Sequence, residues 1–88
     1  MKIKDGFVLH KIADMNCVMP TGKNVKNFNG SLMLNDTGAF IYEHLQKGAT
    51  PDETAQALTE EYDVALDTAS KDVQNTIHSL IEADVAEA

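Results

Sequence analysis

The sequence predicts an α+β fold in which a small three-stranded antiparallel sheet is followed by three helices in a winged helix-turn-helix-like arrangement. Three observations predict it. The first third consists of short apolar segments of strand length, separated by Gly-, Asn- and Pro-bearing turns. The rest carries apolar residues at helical spacing. Between the helical stretches lie clear start and stop signals, the strongest being Thr50-Pro51-Asp52-Glu53. Strands in one block and helices in the next make separate layers rather than alternating βαβ units.

Taken in order, Phe7-Val8-Leu9-His10-Lys11-Ile12 mixes apolar and polar positions over the length of a strand. Ala13-Asp14-Met15-Asn16 is expected to turn, and Cys17-Val18-Met19 to leave it as a second strand that Pro20 ends. Thr21 to Gly30 is rich in Gly, Asn and Lys and predicts a loop. Ser31-Leu32-Met33-Leu34 forms a short third strand. Asp36 or Thr37 is expected to cap the first helix, with Phe40, Ile41 and Leu45 as its apolar stripe and Gly48 just past its end. Thr50, Pro51 and Glu53 supply a cap, a proline at the first helical position and the third-position Glu of a capping box. Ala55, Leu58 and Tyr62 then face the core. After a connector over residues 63–66, Asp67 is expected to cap a third helix carrying Ala69, Val73, Ile77, Leu80 and Ile81 on one face. The second and third helices, joined by a short turn, form a helix-turn-helix, and the sheet is its wing.

Eighty-eight residues predict a single domain spanning 1–88. No apolar window approaches the ~18 residues of a membrane span, and Phe7-Val8-Leu9 is too short for the ~7–15-residue core of a signal peptide. The one cysteine, Cys17, cannot staple the fold internally and reads as a buried thiol in a reducing cytoplasm. The net charge of −7 is uneven: residues 1–35 hold five Lys and two acids, whereas residues 36–88 hold two Lys and twelve acids. Arg is absent. An acidic helical half without Arg repels phosphate backbones and lacks the usual bidentate contacts to bases, which excludes nucleic acid as the expected partner. A peptide or protein of complementary charge suits both halves.

No catalytic constellation is visible. His10, His44 and His78 lack metal-ligand spacing, so no metal or cofactor is expected. Asp52/Glu53 and Glu60/Glu61/Asp63 sit at a helix start and end, where they cap or face solvent. Ser31 lacks the Gly-x-Ser-x-Gly elbow of a nucleophile. Apolar residues at regular spacing are first of all core.

The stretch Leu34-Asn35-Asp36-Thr37-Gly38-Ala39-Phe40-Ile41-Tyr42-Glu43-His44-Leu45 resembles the Leu-Asn-x-Thr-Gly-x-x-Ile-aromatic-Glu-x-Leu signature of the coenzyme PQQ biosynthesis protein D family. Gly48-Ala49-Thr50, Glu60-Glu61-Tyr62-Asp63-Val64 and Asp72-Val73 followed by Leu80 resemble further family motifs in the same order, so the likeness covers roughly residues 31–83. Asp84-Val85 stands where members often carry Gly-Leu. The resemblance implies a peptide-binding module, not an enzyme. Such modules are recognition elements for ribosomally synthesised, post-translationally modified peptides, and act in the biosynthesis of PQQ and other peptide natural products. The leader of a precursor peptide pairs with the third strand and packs on the third helix, and the complex is presented to a modifying enzyme, commonly a radical S-adenosylmethionine maturase.

Strand addition fits the residues themselves, since main-chain hydrogen bonds supply affinity and side-chain pockets supply selectivity. Ser31, Leu32, Met33 and Leu34 are the expected pairing strand, and Val73, Thr76, Ile77 and Leu80 the expected opposite wall. A free edge also allows self-pairing, so a monomer or weak homodimer is expected. Two other functions compete. Gly30-Ser31-Leu32 is similar to the Asp-Ser-Leu attachment site of acyl carriers, which makes a small acidic carrier protein the first alternative. A winged-helix docking or regulatory module is the second, although its third helix offers a single Lys toward DNA.

Overall fold

The computed structural model describes residues 1–22 and 32–88; most of the expected loop over Thr21 to Gly30, and Ser31 with it, lie outside the described residues. The chain opens with a two-residue strand, β1 (Lys2–Ile3), followed by β2 (Phe7–Ile12), β3 (Met15–Pro20) and β4 (Leu32–Leu34). Three helices follow, α1 (Asp36–Gln46), α2 (Pro51–Tyr62) and α3 (Leu66–Glu82), and the last strand is β5 (Ala86–Glu87). The antiparallel sheet β2-β3-β4 is the one predicted. A second ladder, β1 with β5, was not foreseen and joins the two ends of the chain through Lys2↔Glu87 and Ile3↔Ala86. An ion pair between Lys4 and Asp84 and a bond from the Lys4 N–H to the Val85 carbonyl (2.9 Å) extend that ladder.

The hairpin turn is tighter than expected. Ile12 pairs with Met15, so only Ala13 and Asp14 turn, with Ala13 in the left-handed region at φ 56°. Met15 and Asn16 therefore belong to β3 rather than to the turn. Asn16 is drawn into the strand because its buried side chain donates to Asp36 Oδ1 at the start of α1 (2.9 Å).

That bond also explains why the first helix cap differs from expectation. Asn35 caps α1, its Oδ1 accepting from the Gly38 N–H at 2.8 Å and from the Thr37 hydroxyl at 3.0 Å. Asp36 and Thr37 are already inside the helix, and Asp36 is engaged by Asn16. Gly38 is buried beneath this cap: a Cβ there would stand 3.1 Å from Asn35 Oδ1 and 3.3 Å from Leu34 Cβ. Gly48 follows the C-cap of α1 at φ +101°, as its position after the apolar stripe suggests. The capping box on α2 forms as predicted, with Glu53 N–H to Thr50 Oγ1 at 3.1 Å and Thr50 N–H to Glu53 Oε1 at 2.9 Å.

Asp63 ends α2 in the left-handed region, φ 51°. The connector is then only residues 63–65, and α3 begins at Leu66, with extended Ala65 as an N-cap that makes no side-chain bond. Asp67 is thus a first-turn residue, not the cap, and its carboxylate accepts from the Thr68 N–H (3.0 Å). Ala69, Val73, Ile77 and Leu80 are buried as predicted. Tyr62 is not: it is 39% exposed, its ring edge-on to Phe40 at 5.7 Å. About three turns after Thr50 the helix has run past the core, and the ring finds an aromatic neighbour at the surface.

The core lies between the helices and the inner face of the sheet. Val18 from β3, Ile41 and Tyr42 from α1, Leu58 from α2 and Leu80 from α3 are all fully buried. Val85, just before β5, closes its far end. Among the described residues no buried side-chain nitrogen or oxygen is left without a partner.

Candidate functional site

Strand pairing within the sheet runs Asn16↔Leu34, Cys17↔Met33 and Val18↔Leu32, so β4 uses one edge on β3. Its other edge pairs with no strand among the described residues. Alternation along β4 then decides what each side chain does. Leu32 and Leu34 point inward and are half-buried against the core, while Met33 points outward, 44% exposed, with its sulfur 3.1 Å from Cys17 Sγ. The expected pairing strand is therefore a short edge whose inward apolar side chains pack against the core cluster to which α3 contributes. Nothing on β4 blunts it: neither Pro nor a charged side chain occurs among Leu32, Met33 and Leu34.

On α3 the four residues expected to form the wall have different roles. Val73 (1% exposed) and Leu80 (0%) are core, Ile77 (8%) is nearly so, and Thr76 is half-buried. Leu32 and Leu34 pack on the same cluster that contains Val73, Ile77 and Leu80. The strand and helix halves of the expected site thus border one core cluster. Of the four helix residues, Thr76 presents the most surface. Ser31 lies outside the described residues.

A separate concavity lies elsewhere. A cleft of ≈ 430 Å³ lies beside the N-terminal half of α1, lined by Lys11, Asn16, Asp36, Phe40, Glu43 and Tyr62 among others. Its polar groups serve the fold: Asn16 and Asp36 bond each other, and His44 stacks on Phe40 (centroids 4.1 Å apart) with Nδ1 at 3.0 Å from the Phe40 carbonyl. No nucleophile–base pair is assembled there. Among the described residues, no group of three His, Cys, Asp or Glu side chains is placed to hold a metal ion. No helix among them is long and apolar enough to cross a membrane.

One surface escaped the sequence reading. The outer face of the sheet carries Val8, Ile12, Met15, Met19 and Met33, all exposed. The signal was present in the alternation of β2 and β3, where inward Phe7, Leu9 and Val18 interleave with them. It was hidden because both faces of the sheet are apolar, so the alternation is one of burial and not of polarity.

The family model for coenzyme PQQ synthesis protein D matches residues 18–86. Two solved structures resemble the chain. One, TbiB1 in complex with the TbiA(beta) leader peptide, aligns with a TM-score of 0.79 at 25% identity, over 100% of this chain and 96% of that one. The other, a lasso peptide synthetase B1 complexed with the leader peptide, aligns at 0.77 and 26% identity, over 99% and 96% of the two chains. No curated protein matches the chain at a significant level.

Proposed function

The chain belongs to the coenzyme PQQ synthesis protein D family, and we propose that it binds the leader of a ribosomally synthesised precursor peptide at β4 and presents it to a modifying enzyme. The observation that carries this reading is the edge of β4 that pairs with no strand among the described residues, in a fold shared over nearly its full length with two leader-bound proteins. The leader adds as a further strand beside Leu32, Met33 and Leu34 and seats side chains between β4 and α3. The protein performs no chemistry itself. It works in the cytoplasm, as a monomer or weak homodimer, alongside a radical S-adenosylmethionine enzyme or another peptide-modifying enzyme.

Magnitudes say that the edge alone is too weak. Micromolar affinity corresponds to about 8 kcal/mol. A net backbone hydrogen bond contributes about 1 kcal/mol, and a three-residue edge has room for roughly two or three. The balance must come from apolar side chains of the leader, at about 25 cal/mol per Å² buried, less the cost of ordering the peptide. The seat for them is formed by the half-buried Leu32, Leu34 and Thr76, backed by Ile77, while Val73 and Leu80 set its shape from inside the core.

The test is a ¹⁵N–¹H correlation titration with the leader of the precursor peptide encoded beside this gene. Saturating shifts in residues 32–35 and 71–80 at micromolar concentrations are expected. A well-dispersed spectrum that does not move would refute the reading.

A further inference from the structure

Five of the eight large hydrophobic residues that stand exposed among the described residues share one surface, the outer face of the β2-β3-β4 sheet. Register places them side by side: Val8 opposite Met19, Ile12 opposite Met15, and Met33 beside Cys17. Their exposure runs from 36% at Val8 to 58% at Ile12. No acidic residue occupies β2, β3 or β4, whereas residues 36–88 carry twelve acids. The molecule therefore has an acidic helical layer and one low-charge apolar face, a pattern that marks an interaction surface.

We infer that this outer face docks the modifying enzyme, and that a bound leader completes the surface the enzyme recognises. The inference rests on the reading above for the identity of the partner. Two physical arguments select the enzyme over a second copy of this chain. Three strands at about 4.8 Å spacing and six residues at about 3.3 Å present only roughly 300 Å². A stable interface needs about 800 Å² per partner, so sheet-on-sheet self-association falls well short. Each copy also carries −7, and two such copies repel. A larger protein adds contacts beyond the sheet, and a neutral or basic one meets no repulsion.

Continuity with the β4 edge supplies the coupling. A leader strand added beside β4 widens the sheet to four strands, and alternate leader side chains emerge on the same outer face as Met33. The enzyme then touches peptide and adaptor on one contiguous surface and holds the loaded form more tightly than the empty one. Three of the outward residues are methionines, whose flexible thioethers adapt to a partner surface that includes varied peptide side chains.

The experiment measures two affinities separately, for the labelled leader and for the purified modifying enzyme encoded beside this gene. The proteins compared are the wild type, Ile12→Lys, and a Met15→Lys/Met19→Lys double variant, none of which alters β4. Leader affinity is expected to stay within about twofold, because the substituted side chains face away from the groove. Enzyme affinity is expected to fall at least tenfold in the double variant. Saturating leader is expected to raise the wild type's enzyme affinity several-fold. Variants that bind leader and enzyme as the wild type does would overturn the inference while leaving leader recognition intact. A wild type that ignores the leader, beside variants that lose the enzyme, would instead refute the leader reading and keep the docking face.

Discussion

Asn35, Asp36 and Thr37 are three consecutive residues each able to cap a helix, and the choice among them is made at long range. Asp36 is held by Asn16 from β3, which leaves Asn35 as the residue with extended backbone and a free amide oxygen for the Gly38 N–H. This was not legible in the sequence, because the deciding partner lies twenty residues away. Asn35→Ala is expected to cost about 1 kcal/mol, lowering the melting temperature by about 4–8 °C for a domain this small. Thr37→Ala is expected to cost less, since its hydroxyl only donates to the capping oxygen. The second cap was fully legible because its parts are local. Glu53 accepts the Thr50 N–H, and this bond holds its carboxyl below the ordinary 4.5. A depressed folded-state value means that the contribution is present above pH 4.5 and is lost as pH falls through the lower folded value. Glu53→Gln is therefore expected to be less stable than the wild type near neutrality and to converge with it on acidification. Thermal melts across that window check the sign, and a gap that widens toward acid contradicts it.

At the scale of elements, the sequence exposes what is periodic and hides what is short. α2 and α3 carry enough repeats of their pattern to be placed, β2 and β4 show as apolar runs bounded by turn residues, and the predicted helical face of α3 is the one buried. β1 and β5 have two residues each, too few for any period, and their pairing spans the length of the chain. Val85 is nevertheless fully buried beside them, so Val85→Ala is expected to cost roughly 2 kcal/mol through lost burial and a residual cavity. Denaturant unfolding reads this directly. For the candidate site, the edge strand was legible as a short apolar run without charge or Pro. Which helix residues face outward was not, because Val73 and Thr76 both fit the stripe and only packing separates core from surface. The edge itself is tested by Met33→Pro. Proline removes a main-chain donor and disfavours a guest strand beside it. Leader binding is expected to be lost while the far-UV helical signal persists, since α1, α2 and α3 share a core to which outward-facing Met33 does not contribute. Unchanged leader affinity in a folded Met33→Pro protein places the guest elsewhere.

The whole molecule separates charge from apolar surface: acids on the helical layer, exposed apolar side chains on the sheet, and the proposed peptide edge at β4. That division sets how binding responds to salt. A helix-turn-helix that reads DNA depends on Lys and Arg against phosphate, and its affinity falls by orders of magnitude between about 50 and 200 mM salt. Here the outward residues of α3 include Ser70, Lys71, Gln74, Asn75 and His78, with one permanent cation among them, and Glu82 pairs with that histidine at 3.0 Å. Duplex DNA is therefore expected to show no retardation in a gel shift even at low salt. Leader binding is expected to behave differently again. Its affinity comes from main-chain bonds and buried apolar side chains, neither of which is screened by ions. Over the same salt range it should change by less than about threefold, and any change should follow the leader's own charge, weakening for a basic leader attracted by the acidic layer. Fluorescence anisotropy with a labelled leader measures this slope. A steep loss with salt means that charge on the helices, and not the β4 edge, holds the peptide, and the division of labour drawn from the fold is then wrong.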